Sequence, residues 1–234
     1  SINESDVVTS VSESLKQDTL RLFNVHKDIK VIPNFIDLKK PNEIIPCKRS
    51  VMAKPNELIV THISNFRKVK RVDDVVRVFY GIQQQLPAKL IMVGDGPERE
   101  TADQLCKDLS IKSKVLFLGN TSDIDRILCM SDLFLLPSAS ESFGLSALEA
   151  MAAGVPVVSS NAGGLSEVNE EGVSGYLCPI GDVQTMAEKA IYILSDKDRL
   201  AQFKQNARKV AARFDEEKII PMYEALYYNA IKEK

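Results

Sequence analysis

The sequence lacks tryptophan and has only two histidines and four cysteines among its 234 residues. The cysteines lie far apart, with no Cys-x-x-Cys pair, so we expect neither a zinc site nor any other metal site. Three of them, Cys106, Cys129 and Cys178, lie in apolar patterns that favour reduced core residues. This cysteine usage favours a cytoplasmic protein.

Strong charge bias is also missing. The formal net charge is -2 and the pI is about 5.8, so there is no basic surface of the kind that binds nucleic acid. No apolar run approaches the roughly 20 residues that span a bilayer, and we predict no transmembrane segment. The chain opens with Ser1 and no signal peptide, directly on an element-like pattern, and we expect that natural sequence precedes it.

Hydrophobic residues make up 44% of the chain, and β-branched apolar runs alternate with amphipathic segments. This alternation predicts an α/β protein with a doubly wound parallel sheet, similar to a Rossmann fold. The predicted strands are 7–11, 30–32, 58–63, 89–93, 115–118, 133–136, 155–159 and 175–178. The predicted helices are 12–23, 72–85, 98–109, 122–130, 145–153 and 183–194, with one or two more before the end of the chain.

Four segments follow from this pattern. Residues 1–32 hold one strand-helix-strand pattern, which is too little to fold alone. Residues 33–56 include several prolines and charges and are typical of a linker. Residues 57–214 form the doubly wound domain, and residues 215–234 form a last helix with Pro221 near its start. Ligands of such sheets bind outside the carboxyl ends of the strands, so we expect the site in the loops there.

The loop after Leu136 has the strongest pattern for ligand binding. Gly144 stands just before a predicted helix, where a missing side chain lets a ligand approach the backbone. The first amides of that helix, at Leu145 and Ser146, attract an anion such as a phosphate. Glu141 in the loop and Glu149 within the helix could face the same crevice, and a carboxylate there suits a ribose diol. The alternative is that both glutamates are solvated surface residues.

The loop after Ile63 is basic, with Ser64 and Asn65 followed by a cluster at positions 67–71. Arg67 and Lys70 could neutralise a diphosphate at this end of the strand. The alternative is a solvated basic turn that caps the next helix.

The remaining loops carry weaker patterns. Gly94 opens a Gly-Asp-Gly-Pro turn that suits close ligand approach or simply the start of a helix. Asn120 could present its backbone to a nucleobase, while Ser122 could instead cap the following helix. Gly163 and Gly164 indicate a backbone pressed against a ligand or another strand.

Neither histidine has a nucleophile or a metal ligand at a useful spacing. We predict that His62 is a buried strand residue and that His26 lies on the surface. A Ser-His-Asp or Gly-x-Ser-x-Gly pattern is missing as well.

Residues 137–158 resemble the signature of family 4 retaining glycosyltransferases, which have the two-domain GT-B fold. Glu141 and Glu149, with seven residues between them, match its hallmark pair. The segments 93–97, 163–168 and 172–177 add to the resemblance, which covers about 7–214. Segments 31–37 and 64–71 are similar to the bacterial branch that moves N-acetylglucosamine from UDP-GlcNAc to L-malate in bacillithiol synthesis.

The resemblance implies a role for each matching position. Glu141 would contact the sugar hydroxyls and Glu149 would hold the ribose, while the backbone of Ser142, Phe143, Gly144 and Leu145 would lie near the diphosphate and sugar. Lys70 matches the phosphate-binding lysine. The family usually has arginine five positions earlier, where this chain has Asn65, and Arg67 could supply that charge.

The resemblance also implies the reaction and the partners. The chain would be the C-terminal, donor-binding half, with 1–32 the remnant of an N-terminal acceptor domain and 215–234 a helix crossing back to it. It would bind a UDP-sugar, with no cofactor or metal, and the small acceptor would sit on the missing domain. Attack would occur on the same face, with the leaving phosphate helping to deprotonate the acceptor. A homodimer is also compatible with the sequence.

Alternatives remain open on this evidence. The protein could use another donor or acceptor, could be a sugar-nucleotide epimerase of the same fold, or could be a UDP-sugar-binding module. We expect this chain alone to bind the donor weakly and to transfer nothing.

Overall fold

The computed structural model describes residues 2–38 and 48–232, in which strands and helices alternate as predicted. Every predicted strand is present, with ends that differ by at most two residues. The strands are β1 (Val8–Ser10), β2 (Ile29–Val31), β3 (Leu58–Ile63), β4 (Ala88–Val93), β5 (Val115–Gly119), β6 (Leu133–Leu136), β7 (Val157–Ser160) and β8 (Gly175–Cys178).

The helices also follow the prediction, with two differences. The helix predicted at 122–130 begins only at Ile124, with Asp123 rather than Ser122 at its N-cap, and a four-residue helix after Gly164 is too short for periodicity to reveal. The helices are α1 (Glu13–Leu22), α2 (Val72–Gln83), α3 (Arg99–Asp108), α4 (Ile124–Met130), α5 (Leu145–Ala152), α6 (Leu165–Val168), α7 (Val183–Leu194), α8 (Lys197–Ala211) and α9 (Glu216–Lys232).

Six of the strands form one parallel sheet in the order β5-β4-β3-β6-β7-β8. The chain leaves β3 outward to β4 and β5, then returns to the other side of β3 with β6. The connections after β3 and after β6 therefore run in opposite directions and leave a gap between them. This reversal places the expected binding crevice at the carboxyl ends of β3 and β6.

Both faces of this sheet are covered. Side chains on one face of β3 and β4, such as Val60 and Leu90, pack with α2, α3 and α7. Their neighbours on the other face, such as Ile59 and Ile91, pack with α4, and the same side of β6 and β7 packs with α5 and α8. Strands buried on both faces explain the nearly continuous apolar runs of the sequence.

A smaller unit, formed by β1, α1 and β2, has its own two-stranded parallel sheet. Helix α9 packs on it through Ile219 and Leu226, which meet Ile32. Where the chain passes between this unit and the large sheet, Ile36 pairs with Asp215 as a short parallel bridge. The two crossings of the chain thus lie side by side. The predicted segment boundaries remain predictions, and part of the proline-containing linker, residues 39–47, lies outside the described residues.

The cysteine prediction is correct for two of its three residues. Cys106 and Cys178 are free and fully buried, and burial raises the pKa of each thiol to about 11. Cys129, in contrast, is disulfide-bonded. The predicted cytoplasmic location therefore loses part of its basis and stays a prediction. Within residues 2–38 and 48–232, no helix combines the length and hydropathy that a membrane crossing needs.

Asp132 anchors the amino end of β6. Its carboxylate accepts hydrogen bonds from Arg49 at 2.7 Å, Lys204 at 2.8 Å and the Ile59 amide at 3.0 Å. Burial by itself would raise the pKa of Asp132, but these donors outweigh burial and the pKa is lowered. One carboxylate thereby joins β3, β6 and α8.

We expect Asp132→Ala to destabilise the fold by about 2–3 kcal/mol, because it removes the acceptor of three hydrogen bonds, one of them from the buried Ile59 amide. Urea unfolding at neutral pH measures this loss. Asp28→Ala is the control, since the Asp28 side chain is 81% exposed and should change stability by less than about 0.5 kcal/mol. Equal effects of the two substitutions would contradict the anchoring role.

Candidate functional site

An open crevice of about 580 Å³ lies at the carboxyl ends of β3, β4 and β5 and beside the amino end of α5. Its position agrees with the reversal of strand order, and most of the predicted binding residues line it. The lining residues are Ile63, Ser64, Asn65, Lys70, Val93, Gly94, Asn120, Thr121, Ile124, Leu145, Ser146 and Glu149.

An ion pair joins the two principal loops of the crevice. Lys70, from the loop after β3, donates to Oε1 of Glu141, from the loop after β6, at 2.5 Å. Ser138, which is fully buried, donates to the same oxygen at 2.8 Å. The backbones of the two loops also meet, because the amide of Ala139 donates to the carbonyl of Val69 at 2.8 Å. Lys70 and Glu141 are therefore held in fixed positions with most of their surface shielded from water.

Helix α5 begins at the crevice without a side-chain cap. Its N-cap is Gly144, whose φ of 98° lies in the left-handed region that favours glycine. A Cβ at this position would come within 2.5 Å of Leu165. The amino end of the helix therefore presents its first amides, at Leu145 and Ser146, toward the crevice, where the helix dipole favours an anion.

Glu149 lies one turn further along α5 and lines the same crevice. Burial raises the pKa of its carboxyl, and the negative charge of Asp125 on α4 raises it further. No cation among the described residues offsets these two effects, so ionising this half-buried carboxyl is costly. It is suited to accept hydrogen bonds from ligand hydroxyls.

The glycines around the crevice serve to bring loops together. A Cβ on Gly94 would lie 1.8 Å from the carbonyl oxygen of Ser64, and one on Gly163 would lie 2.0 Å from that of Glu141. A Cβ on Gly164 would likewise lie 2.5 Å from the carbonyl oxygen of Ser142. For the pair at 163–164, the structure therefore favours the predicted alternative of contact with another backbone.

His62 is fully buried in β3, and His26 is exposed, as predicted. The His62 ring bridges two groups, with Nδ1 2.8 Å from the carbonyl oxygen of Leu135 and Nε2 2.7 Å from Oγ of Ser64. Burial lowers the pKa of His62 to about 4, with a further contribution from the charge of Lys70. The ring is therefore neutral at pH 7.

Other predicted residues lie at the edge of the crevice or away from it. Asn65 and Asn120 line it from exposed positions. Arg67 is exposed and does not line the crevice, whereas Lys70 does. The residues of the basic cluster at 67–71 therefore have different surroundings. Arg71 bonds Asp74 at the start of α2, which is the structural role that we had considered for the whole cluster. The side chain of Phe143 is buried against Phe214, and the predicted role of its backbone amide stays a prediction.

The sequence analysis missed the roles of two residues of the site. Ser138 holds Glu141, and His62 holds Ser64. A signal existed for His62, because residues two apart on a strand point to the same face. The role of Ser138 follows from the fold alone.

The small unit contacts the back of the Glu141 loop. Ser12 caps α1 and donates from Oγ to the carbonyl of Ser142 at 2.6 Å. The carboxylate of Glu167, just after the 163–164 glycines, accepts from the amides of Glu13 and Ser14, both at 2.9 Å. A negative charge at the amino end of α1 is favourable because of the helix dipole.

No cluster of three or more potential metal ligands exists among residues 2–38 and 48–232.

Comparison with known proteins points to one family. The model of the family "Glycosyl transferases group 1" matches residues 47–210. The chain is 45% identical over 235 aligned residues to N-acetyl-alpha-D-glucosaminyl L-malate synthase of Bacillus anthracis, covering 99% of this chain and 62% of that protein. It is 33% identical to an uncharacterised glycosyltransferase of Methanocaldococcus jannaschii, covering 88% of this chain and 55% of that protein.

Solved structures show the same fold. Sucrose-phosphate synthase from Thermosynechococcus elongatus matches with a TM-score of 0.89 at 24% identity, over all of this chain and 60% of that one. Anabaena HepE in complex with UDP-glucose matches with a TM-score of 0.87 at 26% identity, over 97% of this chain and 65% of that one. The chain thus spans about three fifths of the length of these proteins.

We expect His62 to make the fold sensitive to mild acid. The unfolded state takes up a proton near the ordinary pKa of 6.5, whereas folded His62 does so only near 4. Stability therefore falls as the pH drops from 6.5 to 4, by up to about 3 kcal/mol from this group.

Urea unfolding of wild type and His62→Gln between pH 7 and pH 4.5 tests this. The variant should start less stable, because two hydrogen bonds are disturbed, and the difference should shrink with acid. His26→Gln, at an exposed position, should follow the wild type throughout. A difference that stays constant with pH would contradict the expectation.

Glu149→Gln should raise thermal stability at pH 7. The raised pKa of Glu149 means that the folded state favours the protonated form, so ionisation at higher pH costs stability. We expect Tm to rise by about 1–3 °C and the gain to vanish at acid pH, where wild-type Glu149 is protonated. The exposed Glu224→Gln is the control in the same calorimetric scans. A loss of stability at pH 7 would exclude the desolvation argument.

Proposed function

The chain belongs to the glycosyl transferases group 1 family, and from that premise we propose that it is the donor-binding part of a retaining glycosyltransferase that moves N-acetylglucosamine from UDP-GlcNAc to L-malate. Its sheet is the C-terminal half of the GT-B fold, as predicted. The 45% identity to the Bacillus anthracis L-malate synthase over 99% of this chain supports the choice of substrates. HepE, of the same fold, was solved with UDP-glucose.

The observation that carries the proposal is the Lys70–Glu141 pair beside the uncapped amino end of α5. A nucleotide sugar has a diphosphate next to a hydroxyl-rich ring. Lys70 and the amides of Leu145 and Ser146 would bind the diphosphate. Glu141, which holds Lys70 through Oε1, would accept hydrogen bonds from the sugar, and Glu149 would hold the ribose.

The same groups would assist the reaction. As the bond between the anomeric carbon and the β-phosphate oxygen breaks, negative charge grows on the leaving UDP. Lys70 and the helix amides would stabilise that charge. The acceptor hydroxyl would attack on the same face of the sugar, and its proton would pass to the leaving phosphate oxygen. No metal takes part in this proposal.

We propose that the acceptor binds to an N-terminal domain of a longer protein to which this chain belongs. Residues 1–32 would be the end of an N-terminal acceptor domain, and α9, which packs on that unit through Ile219 and Leu226, would be the helix that crosses back to it. The cytoplasmic location and a homodimer stay predictions.

Two alternatives are outcomes of the experiment below. In one, this protein is a family 4 transferase with a different nucleotide sugar or acceptor; in the other, it is a UDP-sugar-binding module that binds without transfer. An epimerase would need additional acid-base residues, whereas Lys70 and Glu149 are the charged groups among the described residues that line the crevice.

Titration calorimetry with UDP, UDP-GlcNAc, GDP-mannose and ADP-glucose tests the proposal. We expect UDP and UDP-GlcNAc to bind best and Lys70→Ala to weaken both about 10- to 100-fold, because a charged hydrogen bond to phosphate is lost. Lys68→Ala is the matched control, since Lys68 is exposed and outside the crevice. Arg67→Ala decides whether that residue supplies the charge usual at the position of Asn65.

Equal losses for Lys70→Ala and Lys68→Ala would sink the phosphate role. Preference for GDP-mannose or ADP-glucose would overturn the donor assignment. Transfer to L-malate is then measured on a longer natural chain that includes these residues, where absence of transfer would overturn the acceptor assignment.

A further inference from the structure

The polarity of the His62–Ser64 hydrogen bond follows from the neighbouring carbonyl. Nδ1 of His62 lies 2.8 Å from the carbonyl oxygen of Leu135. A carbonyl oxygen only accepts hydrogen bonds, so Nδ1 must carry the proton.

The other ring nitrogen must then be the acceptor. A neutral imidazole has one proton, and His62 is kept neutral because it is buried and near the charge of Lys70. Nε2 therefore has a lone pair directed at Oγ of Ser64, 2.7 Å away. For this contact to be a hydrogen bond, the hydroxyl of Ser64 must donate its only hydrogen to His62.

This leaves Ser64 with nothing but lone pairs for a ligand. Ser64 lines the crevice, and phosphate oxygens there would also present lone pairs. A diphosphate is therefore a poor partner for Ser64, whereas an O–H or N–H group of a ligand is a good one.

The sugar is the part of a nucleotide sugar that fits this position best. Ser64 belongs to the same loop as Lys70, and Lys70 is bound to Glu141, the residue proposed to hold the sugar hydroxyls. Glu149, proposed to hold the ribose, lines the same crevice from α5 rather than from this loop.

We propose that Ser64 is a specificity residue that accepts a hydrogen bond from an O–H or N–H group of the transferred sugar, and that His62 is a positioning residue that fixes this polarity. The inference rests on the proposed function, since it takes a nucleotide sugar as the ligand. Ser64 would accept a hydrogen bond from the ligand, whereas Arg67, Lys70 and the helix amides can only donate one.

The tautomer of His62 is the first test, and it needs no ligand. The chain has only two histidines, so nitrogen-15 labelling of histidine gives two sets of ring resonances, with exposed His26 as the internal reference. At pH 7 we expect the Nδ1–H form for His62. An Nε2–H form, or a charged ring, would free the Ser64 hydrogen and overturn the proposal.

The second test compares the affinities for UDP and UDP-GlcNAc by calorimetry. Ser64→Ala should weaken UDP-GlcNAc about five- to tenfold, the effect of one lost hydrogen bond, and should change UDP by less than twofold. Ser113→Ala, an exposed serine before β5, should change neither. UDP-glucose shows which group of the sugar donates to Ser64. If Ser64→Ala leaves the affinity for UDP-glucose unchanged, the donor is the acetamide N–H. If Ser64→Ala weakens UDP-glucose as much as UDP-GlcNAc, the donor is a hydroxyl that both sugars share.

A double-mutant cycle with His62→Phe tests the positioning role. This substitution keeps a ring beside Phe66 and Phe134 but removes the acceptor for Ser64. It should reduce the preference for UDP-GlcNAc over UDP in the wild-type background and leave it unchanged in the Ser64→Ala background. If His62→Phe does not fold, the tautomer and the Ser64→Ala ratio decide alone.

These outcomes separate the inference from the function. If UDP and UDP-GlcNAc bind and Ser64→Ala weakens both equally or neither, the specificity role is wrong and the crevice assignment stands. If neither ligand binds the wild type, the proposed function fails. If the Nδ1–H form of His62 is found in that case, the direction of the Ser64–His62 hydrogen bond is confirmed, but the assignment of a sugar to Ser64 is wrong.

Discussion

The reversal of the chain on either side of β3 is the constraint on which the site depends. Strands β3 and β6 are neighbours in the sheet but far apart in sequence, so the loops that follow them come from unrelated segments. Parallel strands bring those loops to one edge. Without this arrangement Lys70 and Glu141, which are 71 positions apart, would never meet.

Close backbone contact then gives the crevice its rigidity. Gly94 lets one loop rest on the carbonyl of Ser64, and Gly163 lets another rest on the carbonyl of Glu141. Positive φ and missing side chains at these positions matter for protein packing first. The residues proposed to bind the ligand are supported by backbone segments that cannot shift without strain. A site built on loops can be pre-organised in this way.

The sequence predicts the sheet well because its strands are buried on both faces and so leave long apolar runs. It also predicts the crevice, since Glu141, Gly144 and Glu149 lie in a long pattern at a strand's end. It fails where tertiary contacts decide. The cluster at 67–71 is uniform in sequence, but Lys70 turns toward Glu141 while Arg71 bonds Asp74. Likewise, Ser138 becomes important only because the fold buries it beside Glu141.

The role of His62 shows the same limit from another side. Burial was predictable from its strand, and a buried histidine is usually structural. The two distances from its ring nitrogens carry the further information. The carbonyl of Leu135 in β6 fixes which ring nitrogen holds the proton, and this in turn makes the Ser64 hydroxyl at the crevice donate to the ring. Residues that act through a neighbour leave little trace in a single sequence.

The attachment of the small unit has a mechanical consequence. The carboxylate of Glu167 holds the first amides of α1, and the bridge between Ile36 and Asp215 holds the two crossings of the chain. The unit of β1, α1 and β2 is therefore tied to the large sheet at both places. Because Ser12 also donates to the carbonyl of Ser142, any displacement of this unit would strain the backbone of the Glu141 loop.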